Sequence, residues 1–258
     1  MIEISAFVVF HRERAYAIPA LRSFRLMVET ARDAGLRIEA TALLDRPDAI
    51  TKDIVAREGT WLDRVKIVDH GDLGETRNTG IQIVQGEYLA FLDGDDLWGR
   101  DWLVAAHQKA RLEKNDARAI WHPELLYYFD EGDWDAHSVT ATPHAAARSF
   151  FFEHPPSWAK SFQRDTLFMN NVWSANVFAH RDVHKRFPYL RVDRSRGFGI
   201  EDWSWNLQTV AAGVKHDVVP STVHLIRVKQ TGSLGQANKA EGLLPMLPNE
   251  ATLGQWSC

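Results

Sequence analysis

The sequence predicts an α/β protein with a mostly parallel central sheet. In the first 115 of its 258 residues, short apolar runs of strand length alternate with longer segments of helical periodicity. This alternation is typical of βαβ units, in which a helix connects two parallel strands. The composition agrees, because 45% hydrophobic and 25% charged residues are ordinary values for a globular protein with a full core.

Four strands and four helices are predicted in this first part. The first strand is the short, largely apolar run Ile4–Phe10, whose length suits a strand buried on both faces. Gly35 marks the end of the first helix, because glycine readily adopts the backbone conformation that stops a helix. The predicted strands span 4–10, 36–44, 65–69 and 87–92, and the predicted helices span 18–34, 48–58, 74–85 and 100–114.

The pattern is weaker after residue 115. Segments 130–147 and 153–170 are polar or rich in turn residues, so we expect loops there, of the kind that form lids or binding loops. We expect one domain over 1–231 and a C-terminal tail over 232–258, where Gly, Pro and Asn accumulate. Strands are predicted at 119–129, 148–152, 172–179, 214–219 and 222–228, and helices at 181–187 and 201–212.

Charge and cysteine content argue against several classes of protein. The net charge of -4 argues against a nucleic-acid-binding arm or a polybasic membrane patch. Cys258 is the single cysteine, so an intramolecular disulfide and a thiolate metal cluster are excluded. The chain shows no signal-peptide pattern and no apolar run long enough to span a bilayer. We therefore expect a cytoplasmic protein, either free or peripheral to a membrane.

Acidic residues follow three of the predicted parallel strands. Glu13 follows the first strand, Asp45 ends the second, and Asp93-Gly94-Asp95-Asp96 follows the fourth. Ligands of open α/β sheets bind beyond the carboxyl ends of the strands, so these acids are expected at one binding edge. Three carboxylates within four residues repel one another unless a cation offsets them. Mg²⁺ or Mn²⁺ suits such oxygen ligands and also accepts substrate phosphates.

Arg77 lies in the first turn of the helix predicted at 74–85. The helix dipole disfavours a cation at this end, so the position predicts a partner such as the acidic edge or a ligand. A second acidic pair, Glu201-Asp202, begins the helix predicted at 201–212.

Four segments together resemble the inverting family 2 glycosyltransferases. The resemblance covers residues 2–115 and resumes near Asp202. The segments are Phe10-His11-Arg12-Glu13, Gly74-Glu75-Thr76-Arg77-Asn78-Thr79-Gly80, the run Gly86-Glu87-Tyr88-Leu89-Ala90-Phe91-Leu92-Asp93-Gly94-Asp95-Asp96, and Gly197-Phe198-Gly199-Ile200-Glu201-Asp202-Trp203. The resemblance implies a GT-A fold, a Rossmann-like sandwich that binds a nucleotide sugar, with a nucleotide-binding half at 1–115 and an acceptor-binding half at 116–231.

The resemblance also implies a role for each candidate residue. Asp202 would be the catalytic base, and Glu201 and Trp203 would orient the acceptor or the helix. Asp95, in an Asp-x-Asp motif, would bind Mn²⁺ or Mg²⁺ at the donor diphosphate, with His224 as a further metal ligand. The residues expected to bind the nucleotide sugar are His11, Glu13, Asp45, Arg77 and Asp93.

The chemistry of sugar transfer is consistent with these roles. A nucleoside diphosphate leaving group concentrates negative charge that a metal ion stabilises. The attacking hydroxyl loses a proton, so a carboxylate is needed on the opposite face of the sugar. We therefore expect metal-assisted, inverting transfer from a nucleotide-diphosphate sugar to a carbohydrate or other hydroxyl acceptor. Two alternatives stay open: a nucleotidyltransferase, and a non-catalytic nucleotide-sugar-binding module on the same scaffold.

Overall fold

The computed structural model describes residues 1–113, 118–130, 149–229 and 234–246. These residues form a central sheet of nine strands with helices on both faces. The strands are β1 (Ile4–Phe10), β2 (Ile38–Asp45), β3 (Arg64–Val68), β4 (Tyr88–Asp93), β5 (Leu97–Trp98), β6 (Ala119–Asp130), β7 (Phe150–Glu153), β8 (Phe178–His180) and β9 (Lys215–Val228). The α-helices are α1 (Ala17–Asp33), α2 (Ala49–Glu58), α3 (Leu73–Ile83), α4 (Trp102–Leu112), α5 (Arg181–Arg186), α6 (Glu201–Ala211) and α7 (Leu234–Ala240).

The strand order is β3-β2-β1-β4-β8-β6-β9-β5, and β7 pairs with the second half of β6. Strands β3, β2, β1 and β4 are parallel, as the sequence predicts. The short strand β8 runs antiparallel between β4 and β6, and β6 and β9 are again parallel. Within the described ranges, no helix has the length and apolar character needed to cross a membrane.

Strand β1 explains how the sheet separates two cores. All seven of its residues are buried, and they alternate between the two faces. Val8 and Phe10 pack with residues of α1 and α4, whereas Phe7 and Val9 pack with residues of α3, α5 and α6. A strand buried on both faces needs apolar residues on both of them, so its sequence shows no alternation of apolar and polar residues. The predicted elements of the first part are confirmed, with boundaries that differ by a few residues.

The second part of the chain departs from the sequence prediction in two places. The strand predicted at 172–179 is wrong, because β8 contains only three residues. The two strands predicted at 214–219 and 222–228 form one continuous strand, β9. Ser221 adopts a left-handed backbone conformation with φ of 59°, and the β6–β9 register shifts opposite it, so the strand bends without ending.

Most of the loop predicted at 130–147 lies outside the described residues. Residues 234–246, which the sequence places in a C-terminal tail, include the helix α7 and a strand-like contact between Phe198 and Leu244.

A cluster of three buried histidines joins β6, β9 and the segment after β7. Nε2 of His122 and Nδ1 of His216 are 2.9 Å apart, and the two rings stack. His154 donates from Nδ1 to the backbone oxygen of Pro123 at 2.6 Å, while its Nε2 accepts from the backbone N–H of Ser174 at 3.2 Å. His154 is therefore neutral, with its proton on Nδ1. Burial lowers the pKa of His154 and of His216 to about 3.

We predict that His154 makes the protein less stable as the pH falls. Its pKa is about 3 in the folded protein and about 6.5 when unfolded. The unfolded state therefore binds a proton first, and stability declines from about pH 6.5 downward. Urea unfolding of the wild type and His154→Gln measures this contribution. Between pH 7 and pH 5, the stability of the wild type relative to the variant should fall by about 2 kcal/mol.

The variant is the necessary reference because other groups titrate in the opposite sense. Glu13 and Asp202 have raised pKa values, so they destabilise the folded protein less as the pH falls. A difference between wild type and variant that stays constant from pH 7 to pH 5 would contradict a neutral, buried His154.

Candidate active site

The acids that follow β1, β2 and β4 lie along one edge of the sheet. These three strands are adjacent and parallel, so their carboxyl ends share that edge. Gly94 holds the turn after β4 against β1, because any side chain there would collide with Phe10 and the backbone of Val9. The structure thus brings Glu13, Asp45 and the Asp93–Asp96 turn together as predicted.

Asp45 organises the loop that follows β3. Its Oδ1 accepts from the backbone N–H groups of His70 and Gly71, each at 2.9 Å, and its Oδ2 accepts from that of Asp72 at 3.1 Å. Asp72 in turn caps α3 by accepting from the backbone N–H of Glu75. The carboxylate therefore fixes the entrance to α3, and contact between Asp45 and a nucleobase stays a prediction.

His11 and Glu13 form a tight turn after β1. The backbone N–H of His11 donates to Oε2 of Glu13 at 2.5 Å, and Nδ1 of His11 lies 2.6 Å from the backbone oxygen of Asp45. Burial and the nearby charge of Asp95 raise the pKa of Glu13 to about 7. Glu13 is therefore close to the Asp93–Asp96 turn and only partly ionised near neutral pH.

Each of the three acids in the Asp93–Asp96 turn has a different partner. Asp93 accepts a hydrogen bond from Arg77 at 2.8 Å. Asp95 forms an ion pair with Lys229, and Asp96 lies 3.2 Å from Nε2 of His224. The mutual repulsion expected of these carboxylates is thus relieved by groups of the protein itself.

Arg77 is the ion-pair centre of the site. Its side chain has no solvent exposure, and it donates from Nη1 to Glu201 at 2.7 Å and from Nη2 to Asp93 at 2.8 Å. The guanidinium also lies over the ring of Tyr189, 5.4 Å from its centre. Although burial alone would lower the pKa of Arg77, the charges of Asp93 and Glu201 raise it. The partner that the helix position predicts is therefore the acidic edge.

Asp202 is held through both carboxylate oxygens. Oδ1 accepts from the backbone N–H of Trp203 at 2.8 Å, and Oδ2 accepts from Nδ2 of Asn171 at 2.9 Å. Asn206 donates to Oδ1 of Asn171 at 2.9 Å and so fixes the orientation of that amide. Burial and the charge of Glu201 raise the pKa of Asp202 to about 7, although Arg77 opposes the shift.

The start of α6 is shaped by a strained residue and by two tryptophans. Ile200 precedes the helix in a left-handed conformation with φ of 63°, which turns the chain sharply into Glu201. Trp203 donates from its indole to the backbone oxygen of Leu167 at 2.5 Å, and the fully buried Trp205 donates to that of Phe187 at 2.6 Å. Both rings anchor α6, so Trp203 orients the helix in this structure.

His224 is fully buried and lies against Asp96, not against Asp95. Nδ2 of Asn176 is 2.9 Å from its Nε2, and its ring packs on Trp98 at 4.7 Å. Burial lowers the pKa of His224 to about 4, and burial raises that of Asp96 well above its usual range. Metal binding by His224 stays a prediction.

Sequence reasoning missed several residues of this site. Asn171 precedes the segment 172–179 that the sequence wrongly predicts as a strand, Asn176 lies within it, and neither amide carries a recognisable motif. The phenol group of Tyr128 lies near Asp96 and Asp202. Burial and the charges of these two carboxylates raise the pKa of Tyr128 to about 12. Lys229 follows directly after the last strand. The sequence could have indicated this residue, because the acids of the site also lie at or just after strand ends.

The comparison with protein families identifies the group to which the chain belongs. The family described as Glycosyl transferase family 2 matches residues 5–174, more than half of the chain. The chain belongs to glycosyltransferase family 2. Membership favours glycosyl transfer over the nucleotidyltransferase alternative. The matched range ends before Asp202, so the role of that residue depends on geometry and on the resemblance of its segment. A search of curated protein sequences found no significant match.

Solved structures share the fold. The structure of S. aureus TarS residues 1–349 superposes with a TM-score of 0.56 at 14% identity and covers 88% of this chain. The same protein with UDP gives 0.59 at 15% identity over 88% of this chain, and with UDP-GlcNAc 0.57 at 12% over 92%. The chain spans 60% to 61% of the length of these TarS structures. The fold is GT-A, as the resemblance implies.

We expect Arg77→Met to destabilise the protein severely. The substitution leaves Asp93 and Glu201 without their buried counter-charge, and breaking a buried ion pair in this way costs about 3–5 kcal/mol. The exposed pair Arg25–Glu29 supplies the control, because Arg25→Met should cost at most about 1 kcal/mol. Chemical unfolding at pH 7.5 measures both. A loss below about 1 kcal/mol for Arg77→Met would show that the ion pairs of Arg77 do not hold α3, β4 and α6 together.

Proposed function

We propose that this glycosyltransferase moves a sugar from a nucleotide-diphosphate donor to a hydroxyl acceptor, with inversion and with the help of a divalent cation. One observation carries the proposal: Asp202, a partly buried carboxylate, is connected through Glu201 and Arg77 to the acids at the strand ends. A group able to accept a proton is thereby held at a fixed distance from the edge where a nucleotide is expected. The UDP and UDP-GlcNAc complexes of TarS support a nucleotide-sugar donor.

Asp202 is suited to be the base. Its pKa of about 7 makes it far more basic than an ordinary carboxylate, and a general base works best when its pKa lies near the operating pH. Hydrogen bonds from Asn171 and from the backbone of Trp203 fix the carboxylate plane, and the remaining lone pairs would be available to an acceptor hydroxyl. A single displacement with the base opposite the leaving group inverts the anomeric centre.

The residues of the Asp93–Asp96 turn are compatible with a divalent cation. The carboxylate of Asp95 is partly exposed and already attracts the ammonium of Lys229. Among the described residues, no three His, Cys, Asp or Glu side chains converge to hold a metal by themselves, so phosphate oxygens and water would complete the coordination. When bound, the cation would stabilise the charge that develops on the leaving diphosphate. His224 stays a proposed further ligand.

The nucleotide would lie against the other strand-end residues. We assign His11, Glu13, Asp45 and Asp93 to the nucleotide side of the site, because their backbone and carboxylate groups line the carboxyl edge of β1, β2 and β4. Arg77 pairs with Asp93, and its side chain has no exposed surface to offer a ligand.

Asp202→Asn tests the proposed base directly. The amide keeps the shape of the side chain but cannot accept the proton, so kcat for transfer should fall about 10²–10⁴-fold. Affinity for the nucleoside diphosphate should stay unchanged, which separates an enzyme from a binding module. Glu201→Gln is a poor control because it also removes a buried counter-charge of Arg77. Near-normal transfer by Asp202→Asn, or a product that retains the anomeric configuration of the donor, would refute the mechanism.

The pH profile of kcat tests how Asn171 tunes the base. Its hydrogen bond favours the ionised carboxylate, so Asn171→Ala should raise the pKa of Asp202 further, by about one unit. Because the base must be ionised to act, the acidic limb of the profile should move to higher pH, and the plateau should persist. Charged and titratable groups that act on Asp202 remain in place in this variant: Glu201, Arg77, Asp93, Tyr128 and Tyr189.

Asn170→Ala is the matched control, because this neighbouring side chain is exposed. Its profile should coincide with that of the wild type. An acidic limb that does not move in Asn171→Ala would remove Asn171 from the machinery of the base.

A further inference from the structure

The carboxyl end of β9 brings two cations to the Asp93–Asp96 turn. The backbone N–H of Arg227 donates to Oδ1 of Asp96 at 2.9 Å, and Nε of Arg227 donates to the backbone oxygen of Asp95 at 3.0 Å. Lys229, the first residue after the strand, forms an ion pair with Oδ2 of Asp95. Three polar contacts therefore join the end of the last strand to the turn.

Aromatic rings hold both cations in position. The guanidinium of Arg227 lies 4.6 Å from the ring centre of Tyr16 and 4.8 Å from that of Phe129. Nζ of Lys229 lies 5.3 Å from the ring centre of Tyr16, and only 12% of the lysine side chain is exposed. Desolvated cation–π contacts of this kind are stronger than exposed ones. The ammonium of Lys229 is thus placed beside Asp95 before any ligand binds.

We propose that Lys229 binds the donor diphosphate, and that it neutralises Asp95 until the donor arrives. The inference rests on the proposed function. An ammonium group has three N–H donors, so it can bond a carboxylate oxygen and a phosphate oxygen at the same time. The side chain of Asp95 is 24% exposed, which leaves room for a phosphate to approach the pair from solvent.

The charges at the turn require such a cation. Asp93 has Arg77 as its counter-charge, and Asp96 is buried against His224 and the backbone N–H of Arg227, so Asp95 is the acid of the turn that would lack a partner at the surface without Lys229. Phosphate oxygens and a bare carboxylate repel each other at short range. Lys229 removes that repulsion, and it exchanges Asp95 for a phosphate oxygen when donor and divalent cation bind together.

This exchange predicts a specific pattern of affinities. Mn²⁺ alone must compete with Lys229 for Asp95, so it should bind the wild type weakly. UDP alone should bind through Lys229 even when EDTA removes divalent cations. UDP and Mn²⁺ together should bind more tightly than either one, because the cation takes Asp95 while the ammonium takes a phosphate oxygen.

Calorimetric titration of UDP into the full chain tests the proposal, first in EDTA and then in Mn²⁺. Lys229→Met should weaken UDP binding in EDTA about tenfold or more, the usual effect of losing a charged hydrogen bond. The same variant should bind Mn²⁺ alone more tightly than the wild type. Lys215→Met is the matched control: Lys215 lies at the other end of β9 and pairs with Asp217 at 2.8 Å, so UDP affinity should be unchanged.

A second pair of variants tests the proposal even if Lys229→Met fails to fold because it leaves Asp95 unpaired. Asp95→Asn leaves Lys229 without its carboxylate, so UDP affinity in EDTA should stay equal or rise, and the Mn²⁺ enhancement should be lost. Adding Lys229→Met to Asp95→Asn removes both charges of the ion pair. The double variant should bind UDP in EDTA about tenfold or more weakly than Asp95→Asn alone.

The outcomes separate the two proposals. Equal UDP affinity with and without Lys229, in either background, overturns the role of Lys229. A wild-type protein that binds none of UDP, GDP and dTDP, with or without Mn²⁺, overturns the proposed function itself.

Discussion

The buried guanidinium of Arg77 is the interaction on which the rest of the site depends. An isolated charge in a protein interior costs several kcal/mol, so Asp93 and Glu201 must both remain against it. These two carboxylates come from the end of β4 and the start of α6, and Arg77 itself comes from α3. One side chain therefore fixes the distance between the acids at the sheet edge and the carboxylate of Asp202.

Charge compensation by the protein's own side chains stabilises the Asp93–Asp96 turn. Each of its three acids has its own partner, and those partners come from α3, from β9 and from the residue that follows β9. On the proposed function, ligand binding at this edge would be an exchange of partners, in which phosphates and a cation replace contacts that the protein already makes. The affinity for a ligand then depends on how strongly the protein holds its internal pairs.

The pKa of Asp202 depends on two opposing effects. The carboxylate lies in the first turn of α6, where the helix dipole lowers a pKa, but that effect is worth only about 0.3–1 kcal/mol, less than one unit. Burial and the neighbouring charge of Glu201 shift a carboxyl group by up to several units. They prevail, and the pKa of Asp202 reaches about 7.

The sequence by itself determined the parallel half of the fold and most of the acidic residues of the site. The apolar run at β1 and the acids after β1, β2 and β4 are local signals, because burial on both faces dictates composition and parallel strands end at one edge. Tertiary structure alone decided which groups those acids contact. Lys229 is separated from Asp95 by 134 positions, and Asn171 from Asp202 by 31.

No local pattern marks such pairs, because their geometry arises only when distant strands and loops pack together. The same reason explains the error at 172–179. Asn171, Trp173 and Asn176 face the site and the core from an irregular segment, and their polar contacts, not a strand ladder, satisfy the chain there.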